Sequence, residues 1–472
     1  MKNIILIVLT LTVNLSFGQT EKTANKVVTE KFIEHFNNDN YNGIFSMFAD
    51  VMKETLPIEK TTEFLKGLKS QAGNITNQEF IKYENGTSAS YKTTFERAIF
   101  ALNISIDDSS EINSFLVKPF VEEVNVENVM NNLTIKNGLI TKEQSEIIFE
   151  STNIFPNNTQ VSIAIIKDGK VNYFGIKKER DTISTSENKK SVFEIGSISK
   201  VFTSTLLANF VIEGKIKSNE NINDYLETPL NNNTEISFVD LSNHTSGLPP
   251  LPTNLDFTKV NPENPYKEYR EKELKEYLTK HLELSNKGVN QYSNLGAGLL
   301  GYTLSKIEND SYESLLQNKI FSKYDMQNST ADIKKIKGGL IRGLNSEGKE
   351  VPNWELSVLA GAGGIFSTVV DLSYFAISQF DDSNKELKLT REKTFEINDN
   401  MDIGLGWVIL KSQSDNLWYW HNGGTGGYSS SMVIDDKSKN GIIILSNVST
   451  FNPNKGNIDK LCFELMKTLE KE

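Results

Sequence analysis

Ser197 and Lys200 stand three residues apart in SVFEIGSISKVFTSTLLANFVIEGKI, residues 191–216. On a helix, side chains at that spacing share a face, so an amine and a hydroxyl can meet. The chemistry this allows is nucleophilic. An amine that loses proton affinity through burial, or beside a second positive group, can take the serine proton. The local pattern predicts such a helix. Phe193–Ile195 is extended and apolar, Gly196 permits a tight turn, and Val201, Leu206, Leu207, Phe210 and Val211 recur on helical faces from Ser197 onward, with Gly214 as a stop. Ser197 then lies at a helix N-terminus, where free N–H groups favour developing negative charge. A serine cap followed by a solvated lysine would give the same spacing, so the pair needs partners elsewhere in the chain.

Two segments supply candidates. Tyr292, Ser293 and Asn294 precede LGAGLLGYTLSKI, a small-residue helix start. A tyrosine whose phenolate is stabilised by nearby cations can shuttle protons, and an asparagine amide offers both a donor and an acceptor, here for Lys200 and a substrate amide. Packing alone would also explain the tyrosine. Farther on, His421-Asn422-Gly423-Gly424-Thr425 leads into a β-prone run. Its glycines let backbone approach a ligand, so the Gly424 N–H can pair with the Ser197 N–H as an oxyanion hole, while His421 adds charge or a hydrogen bond beside Tyr292. A glycine-rich turn with a satisfied histidine is the competing reading.

The elements that must position these groups are an antiparallel sheet and a helical layer. VSIAIIKDGKVNYFGI reads as a hairpin turning at Lys167-Asp168-Gly169, and SSSMVIDDKSKNGIIILSNV as another turning around Asp435–Gly441. With mostly helical patterns between them, the two hairpins predict one antiparallel sheet closed by both ends of a larger domain, with helices packed on it. Residues 255–266, rich in proline and asparagine, read as an exposed loop. Ahead of this domain the texture differs. Helical spacing from Val27 to Phe36, an interruption at NNDNYNG, and short helices over 44–52 and 60–71 give way to β-prone runs over 80–118, with turns at Asn85-Gly86 and Asp107-Asp108.

The whole chain narrows the function classes. It has 472 residues, 38% hydrophobic and 24% charged, with a net charge of -11 and no basic tract, which speaks against nucleic-acid binding. Lys2 and the apolar run from Ile4 to Val13, followed by small and polar residues, predict a signal peptide cut near Gly18 or Gln19 and hence an exported protein, periplasmic or extracellular. Thr10, Thr12 and Asn14 make the run too short for a membrane anchor, and no other stretch is apolar enough to span a bilayer. Cys462 is the only cysteine, so no internal disulfide forms and the core must carry the fold. The four histidines are widely separated and predict no metal site, and no organic cofactor is expected.

SISK, YSN and HNG, in that order, together with LSNHTSGLPP, GAGGIFSTVVDLSYF, IGLGWVI and GGTGGYSS, resemble the class C β-lactamase-like serine hydrolases, a group that includes penicillin-binding proteins, D-stereospecific peptidases and esterases. The resemblance runs from Val161 to Thr468. It implies an α+β fold of the β-lactamase/transpeptidase type, with a central antiparallel sheet flanked by helices. It also implies that Ser197 is the acylated nucleophile, Lys200 its activating amine, Tyr292 the proton shuttle, and Asn294 the residue binding lysine and substrate. Asn422, Gly423 and Thr425 join Asn294 as candidate substrate-binding residues. His421 stands where the β-lactamases of the group carry a lysine, a departure shared with related peptidases and esterases, and His244 in HTSG reads as structural. The expected substrate is a small acyl, ester or D-amino-acid-containing peptide molecule. A penicillin- or peptidoglycan-fragment-binding protein with little turnover and a true β-lactamase are the alternatives. The first quarter of the chain is similar in texture to the small helix-plus-curved-sheet domains of the nuclear-transport-factor-2-like class. The expected organisation is a signal peptide over 1–19, a small α+β domain over 20–118, a linker or joining strand over 119–132, and the hydrolase domain over 133–472.

Overall fold

A computed structural model describes residues 20–84, 87–120, 126–135, 138–412, 414 and 416–470. The expected signal peptide and the Asn85-Gly86 turn lie outside the described residues. The chain forms two compact units, 1–123 and 124–472.

In the first unit, helices Thr23–Asn37, Tyr41–Ser46, Asp50–Thr55 and Ile58–Ala72 precede four strands, Ile75–Glu84, Ser88–Phe95, Ile99–Ile106 and Ile112–Pro119. The strands form an antiparallel meander in chain order. Phe32, Phe36, Phe48, Tyr91, Ile104 and Ile112 are buried in its own core. A single second helix over 44–52 is not what forms. Phe48 makes a parallel bridge to Ile112, and the Ala49 N–H donates to the Ile112 carbonyl, so that stretch of backbone pairs with the sheet and splits the helix in two.

The second unit is built on a ten-stranded sheet. Its order is Phe395–Asn398, Met401–Ile403, Val408–Lys411, Leu417–Gly424, Ser429–Asp435, Asn440–Ser446, Gln160–Lys167, Lys170–Glu179, Thr182–Thr185 and Met130–Asn132. All neighbours are antiparallel except the last pair. The two expected hairpins are adjacent, with Ile442 opposite Ile165 and Ile444 opposite Ile163, so both ends of the domain close one sheet. Met130–Asn132 belongs to this sheet, so the far end of the expected linker is part of the larger unit.

The central strands are apolar on consecutive residues because both faces are covered. Ile443, Leu445, Met432, Ile434, Ala164 and Ile166 pack on one side with the helical layer, while Ile442, Ile444, Val433, Ile163 and Ile165 face the other side, under helices Lys142–Thr152 and Gly456–Glu470. Alternate residues of a strand point to opposite faces, so a strand between two cores reads as an unbroken apolar run. Residues 255–266 form the expected loop, exposed over 257–259 and 261–263 but anchored at both ends. They carry no helix or strand, yet Leu255 and Asn264 are buried, and Asn264 is tied to the Glu355 backbone, its Oδ1 accepting that N–H at 2.9 Å.

Candidate active site

The nucleophile turn is assembled from short pairings. Phe193–Glu194 pairs with Phe366–Ser367, and the Ile195 N–H donates to the Ile365 carbonyl at 3.0 Å. Gly196 then takes φ +51°, a conformation that favours glycine, and the chain makes a 3-10 turn over Gly196–Ile198 before the α-helix Ser199–Ile212. Ser197 therefore sits in that turn rather than in the α-helix itself. The helix is buried around its whole circumference from Ser199 to Phe210, which brings Lys200 indoors with it.

Lys200 is 2% exposed. Its Nζ lies 3.0 Å from Ser197 Oγ, 2.8 Å from Asn294 Oδ1 and 2.7 Å from the Ala362 carbonyl oxygen. Burial holds its proton affinity well below the usual lysine range, and no second cation is needed to do so. A neutral amine donates twice and accepts once. Once Lys200 has given up a proton, two N–H groups can stay on the Asn294 and Ala362 oxygens, and the lone pair then faces the Ser197 O–H. Asn294 opens the helix Asn294–Glu308, whose cap is the Ser293 hydroxyl, accepting the Gly296 N–H at 2.9 Å.

Tyr292 lies over Lys200, with Nζ 4.7 Å from the ring centroid. The ring is 45% exposed, while crowding around its hydroxyl pushes the phenol up to about 12, with Ser197 acting in the opposite direction. The surroundings thus raise, and do not lower, the affinity of the Tyr292 phenol for its proton. Its ring also rests on His244, centroid to centroid 4.6 Å, and His244 Nδ1 accepts the Ser293 N–H at 3.2 Å.

Gly423 and Gly424 end the strand Leu417–Gly424, with Gly424 opposite Ser429. This strand end presses on the nucleophile turn. A Cβ on Gly196 would stand 2.5 Å from the Gly424 nitrogen, and one on Gly423 would overlap the Ile195 carbonyl and stand 2.9 Å from the Ser197 nitrogen. Only paired glycines let the two backbones come so close. Ser197, Asn294, Asn422, Gly423 and Gly424 line one cleft of about 650 Å3.

A model of the family described as "Beta-lactamase" matches residues 157–461. The chain belongs to the beta-lactamase family. The family's fold recurs in the octameric penicillin-binding protein homologue from Pyrococcus abyssi, at a TM-score of 0.58 and 22% identity, covering 70% of this chain and 77% of that one. It recurs also in the beta-lactamase/D-alanine carboxypeptidase from Yersinia pestis, at 0.55 and 22%, covering 68% and 95%. In sequence, a beta-lactamase of Pseudomonas fluorescens is 25% identical over 53% of this chain and 69% of its own length. The putative penicillin-binding protein PbpX of Bacillus subtilis is 22% identical over 76% and 84%. A beta-lactamase of Providencia stuartii matches at 28%, with the alignment covering 43% of its length. These family relationships support a serine hydrolase or penicillin-binding-like function. A second model, described as "Protein of unknown function (DUF3887)", matches residues 29–115 in the small domain.

Two further candidate residues are buried. His421 is 6% exposed, and burial, with Lys200 adding to it, depresses its imidazole to about 4, so it supplies no charge at neutral pH. Its Nδ1 lies 2.6 Å from the Asn422 carbonyl oxygen, so the neutral ring carries its proton there and leaves Nε2 as an acceptor. Thr425 is 1% exposed, is not among the residues lining the cleft, and acts on the Glu194 carboxylate. Asn422 does line it, and its amide donates to Asp459 Oδ2 at 2.8 Å.

The residue patterns missed Glu194 and the Ala362 carbonyl. Glu194 is buried and raised to about 7 by desolvation, and its Oε1 accepts from Asn353 Nδ2 at 2.7 Å and from the Trp354 N–H at 3.0 Å. No spacing rule reveals either, though the glycine-rich GAGG run around Ala362 marks close backbone approach. Among the described residues no group of three or more His, Cys, Asp or Glu could hold a metal, and no helix is long and apolar enough to cross a membrane.

Proposed function

We propose that this protein is an exported serine hydrolase that cleaves an amide or ester through a covalent acyl-Ser197 intermediate. The observation that carries the reading is the buried Lys200 amine, 3.0 Å from Ser197 Oγ and held by Asn294 and Ala362. In the first half-reaction Lys200 takes the Ser197 proton as Oγ bonds to the substrate carbonyl carbon. The oxyanion is met by the Ser197 and Gly424 N–H groups, each donor contributing about 3 kcal/mol. The Tyr292 phenol gives its proton to the departing nitrogen or oxygen, and Lys200 returns one to Tyr292. In the second half a water, deprotonated by the same pair, attacks the acyl carbon and releases the acid, with the proton going back to Ser197. No step calls on a metal or an organic cofactor.

The neutral imidazole of His421 offers no fixed positive charge where β-lactamases of the group hold a lysine, which favours a peptidase or esterase over a true β-lactamase. A panel of D-amino-acid peptides, short esters and β-lactams, run on the purified protein beside Ser197→Ala, tests this. Turnover of a peptide or ester that vanishes in the variant is expected, and turnover that survives it overturns the mechanism. Export rests on the Lys2 and Ile4–Val13 pattern. An N-terminus of the secreted protein near residue 19 is the expected sequencing result, and a cell-retained protein beginning at Met1 would contradict it.

A further inference from the structure

The cleft that holds Ser197 has a second feature that the acyl-transfer residues do not use. Four aromatic rings from three separate segments follow one another along its wall. Phe257 meets Tyr266 at 6.4 Å between centroids and 89° between planes, Tyr266 meets Trp354 at 5.3 Å and 70°, and Trp354 meets Phe451 at 6.2 Å and 58°. The two outer rings are open, Phe257 at 51% and Phe451 at 63% exposure. Rings that served only to fill a core would be covered. Here two large apolar faces are left bare inside a concave site that also contains the nucleophile.

The two inner rings of the wall are anchored. The Trp354 N–H and the Asn353 amide both bind the buried Glu194 carboxylate, only three residues ahead of Ser197. The Tyr266 segment is clamped to the Trp354 segment by a reciprocal pair: Asn264 Oδ1 accepts the Glu355 N–H at 2.9 Å, and Asn264 Nδ2 donates to Glu355 Oε1 at 3.2 Å. The Tyr266 and Trp354 rings are therefore held beside the strand that leads into Ser197. Preorganised aromatic surface binds with little entropy cost, and steeply inclined rings offer both edges and faces to a further ring.

We propose that this wall is a binding subsite for an aryl group, so that the preferred substrates are esters or amides carrying an aromatic ring near the scissile carbonyl. The inference rests on the reading of this cleft as an acyl-transfer site. It adds the substrate class, which the catalytic residues leave open.

The test separates ring recognition from chemistry. Full-length Ser197→Ala protein is titrated with phenylacetamide and with cyclohexylacetamide, which match in size and differ in aromaticity, and binding is followed by tryptophan fluorescence and calorimetry. The aromatic amide is expected to bind about three- to tenfold more tightly. That preference is expected to fall to about one in Phe451→Ala and Phe257→Ala backgrounds, where the truncated rings are surface-exposed and the fold, checked by circular dichroism, persists. Equal affinities, a preference that survives both truncations, or saturable binding of neither amide overturns the subsite. Hydrolysis of the matching phenylacetyl and cyclohexylacetyl esters by the native protein reads the other claim. Serine-dependent turnover without ring preference removes the subsite and leaves the hydrolase. Ring-selective binding to the variant, with no serine-dependent turnover in the native protein, removes the hydrolase and leaves the subsite.

Discussion

Lys200 Nζ lies 3.0 Å from Ser197 Oγ, and the same nitrogen has two further oxygens, Asn294 Oδ1 and the Ala362 carbonyl, within 2.8 Å. Once deprotonated, an amine held by those two oxygens presents its lone pair toward Ser197. Lys200→Arg keeps a positive charge but cannot be deprotonated, so it should lower kcat by about 10²–10⁴-fold. Lys200→Met should do the same without the charge. Steady-state kinetics on the best ester or peptide checks this. Either variant with kcat within tenfold of the native protein would show that the amine is not the base.

Tyr292 has its proton affinity raised, not lowered, which suits the proposed delivery of a proton to the leaving group. Tyr292→Phe retains the ring contacts with Lys200 and His244 and loses only the hydroxyl. It should cost about 10²-fold or more in kcat, with the greater loss for amides, whose leaving nitrogen needs protonation more than an ester oxygen. Equal and small losses for both substrate types would refute proton delivery by this phenol.

The glycine contact between the strand end and the nucleophile turn makes a sharper geometric prediction. In Gly423→Ala the new methyl would overlap the Ile195 carbonyl and crowd the Ser197 nitrogen at 2.9 Å. The two N–H groups proposed as oxyanion donors must separate, so kcat should fall about 10²-fold while the protein stays folded, at a stability cost of about 1–3 kcal/mol. Activity kinetics with a parallel urea titration measures both. A variant of native kcat would place the oxyanion elsewhere.

Two buried histidines set an acid limit to stability. His244 is held at about 3 and His421 at about 4, both chiefly by burial, against an unfolded value of 6.5. The unfolded chain therefore binds more protons below that value, and the contribution of each neutral ring is complete above pH 6.5 and lost as pH falls toward its folded value. The slope approaches about 1.4 kcal/mol per pH unit per histidine. Glu194, raised to about 7, acts in the opposite sense between 4.5 and 7, so the clean readout is a difference. Urea unfolding at pH 7.5, 5.5 and 4.5 should show the native protein losing ground to His421→Asn as pH drops. A difference that stays constant across that range would mean that His421 titrates normally.

Much of this site was legible because its chemistry rides on periodicity. The Ser197–Lys200 spacing needs only a helix to become a contact, and the apolar pattern of Val201–Val211 supplied the helix. The alternating and continuous apolar runs of the two hairpins likewise fixed which strands could be neighbours. What stayed hidden depends on burial from distant segments. The protonation of Tyr292 and His421 follows from what crowds them, which no local pattern records. The Ala362 carbonyl is a backbone group, invisible to residue types. The wrongly expected helix over 44–52 failed because a bridge from Phe48 to Ile112, far along the chain, outcompeted local propensity. Thr425 looked like cleft lining because Asn422, Gly423 and Gly424 are, but it lies just past the strand end and is buried.

The central claim is that Ser197 is an activated nucleophile. A fluorophosphonate probe followed by intact-mass and peptide mass spectrometry tests it without knowing the substrate. One adduct per chain on Ser197, absent in Ser197→Ala and formed at least tenfold more slowly in Lys200→Met, is the predicted result. A native protein that stays unmodified, or an adduct that persists in Ser197→Ala, would contradict it.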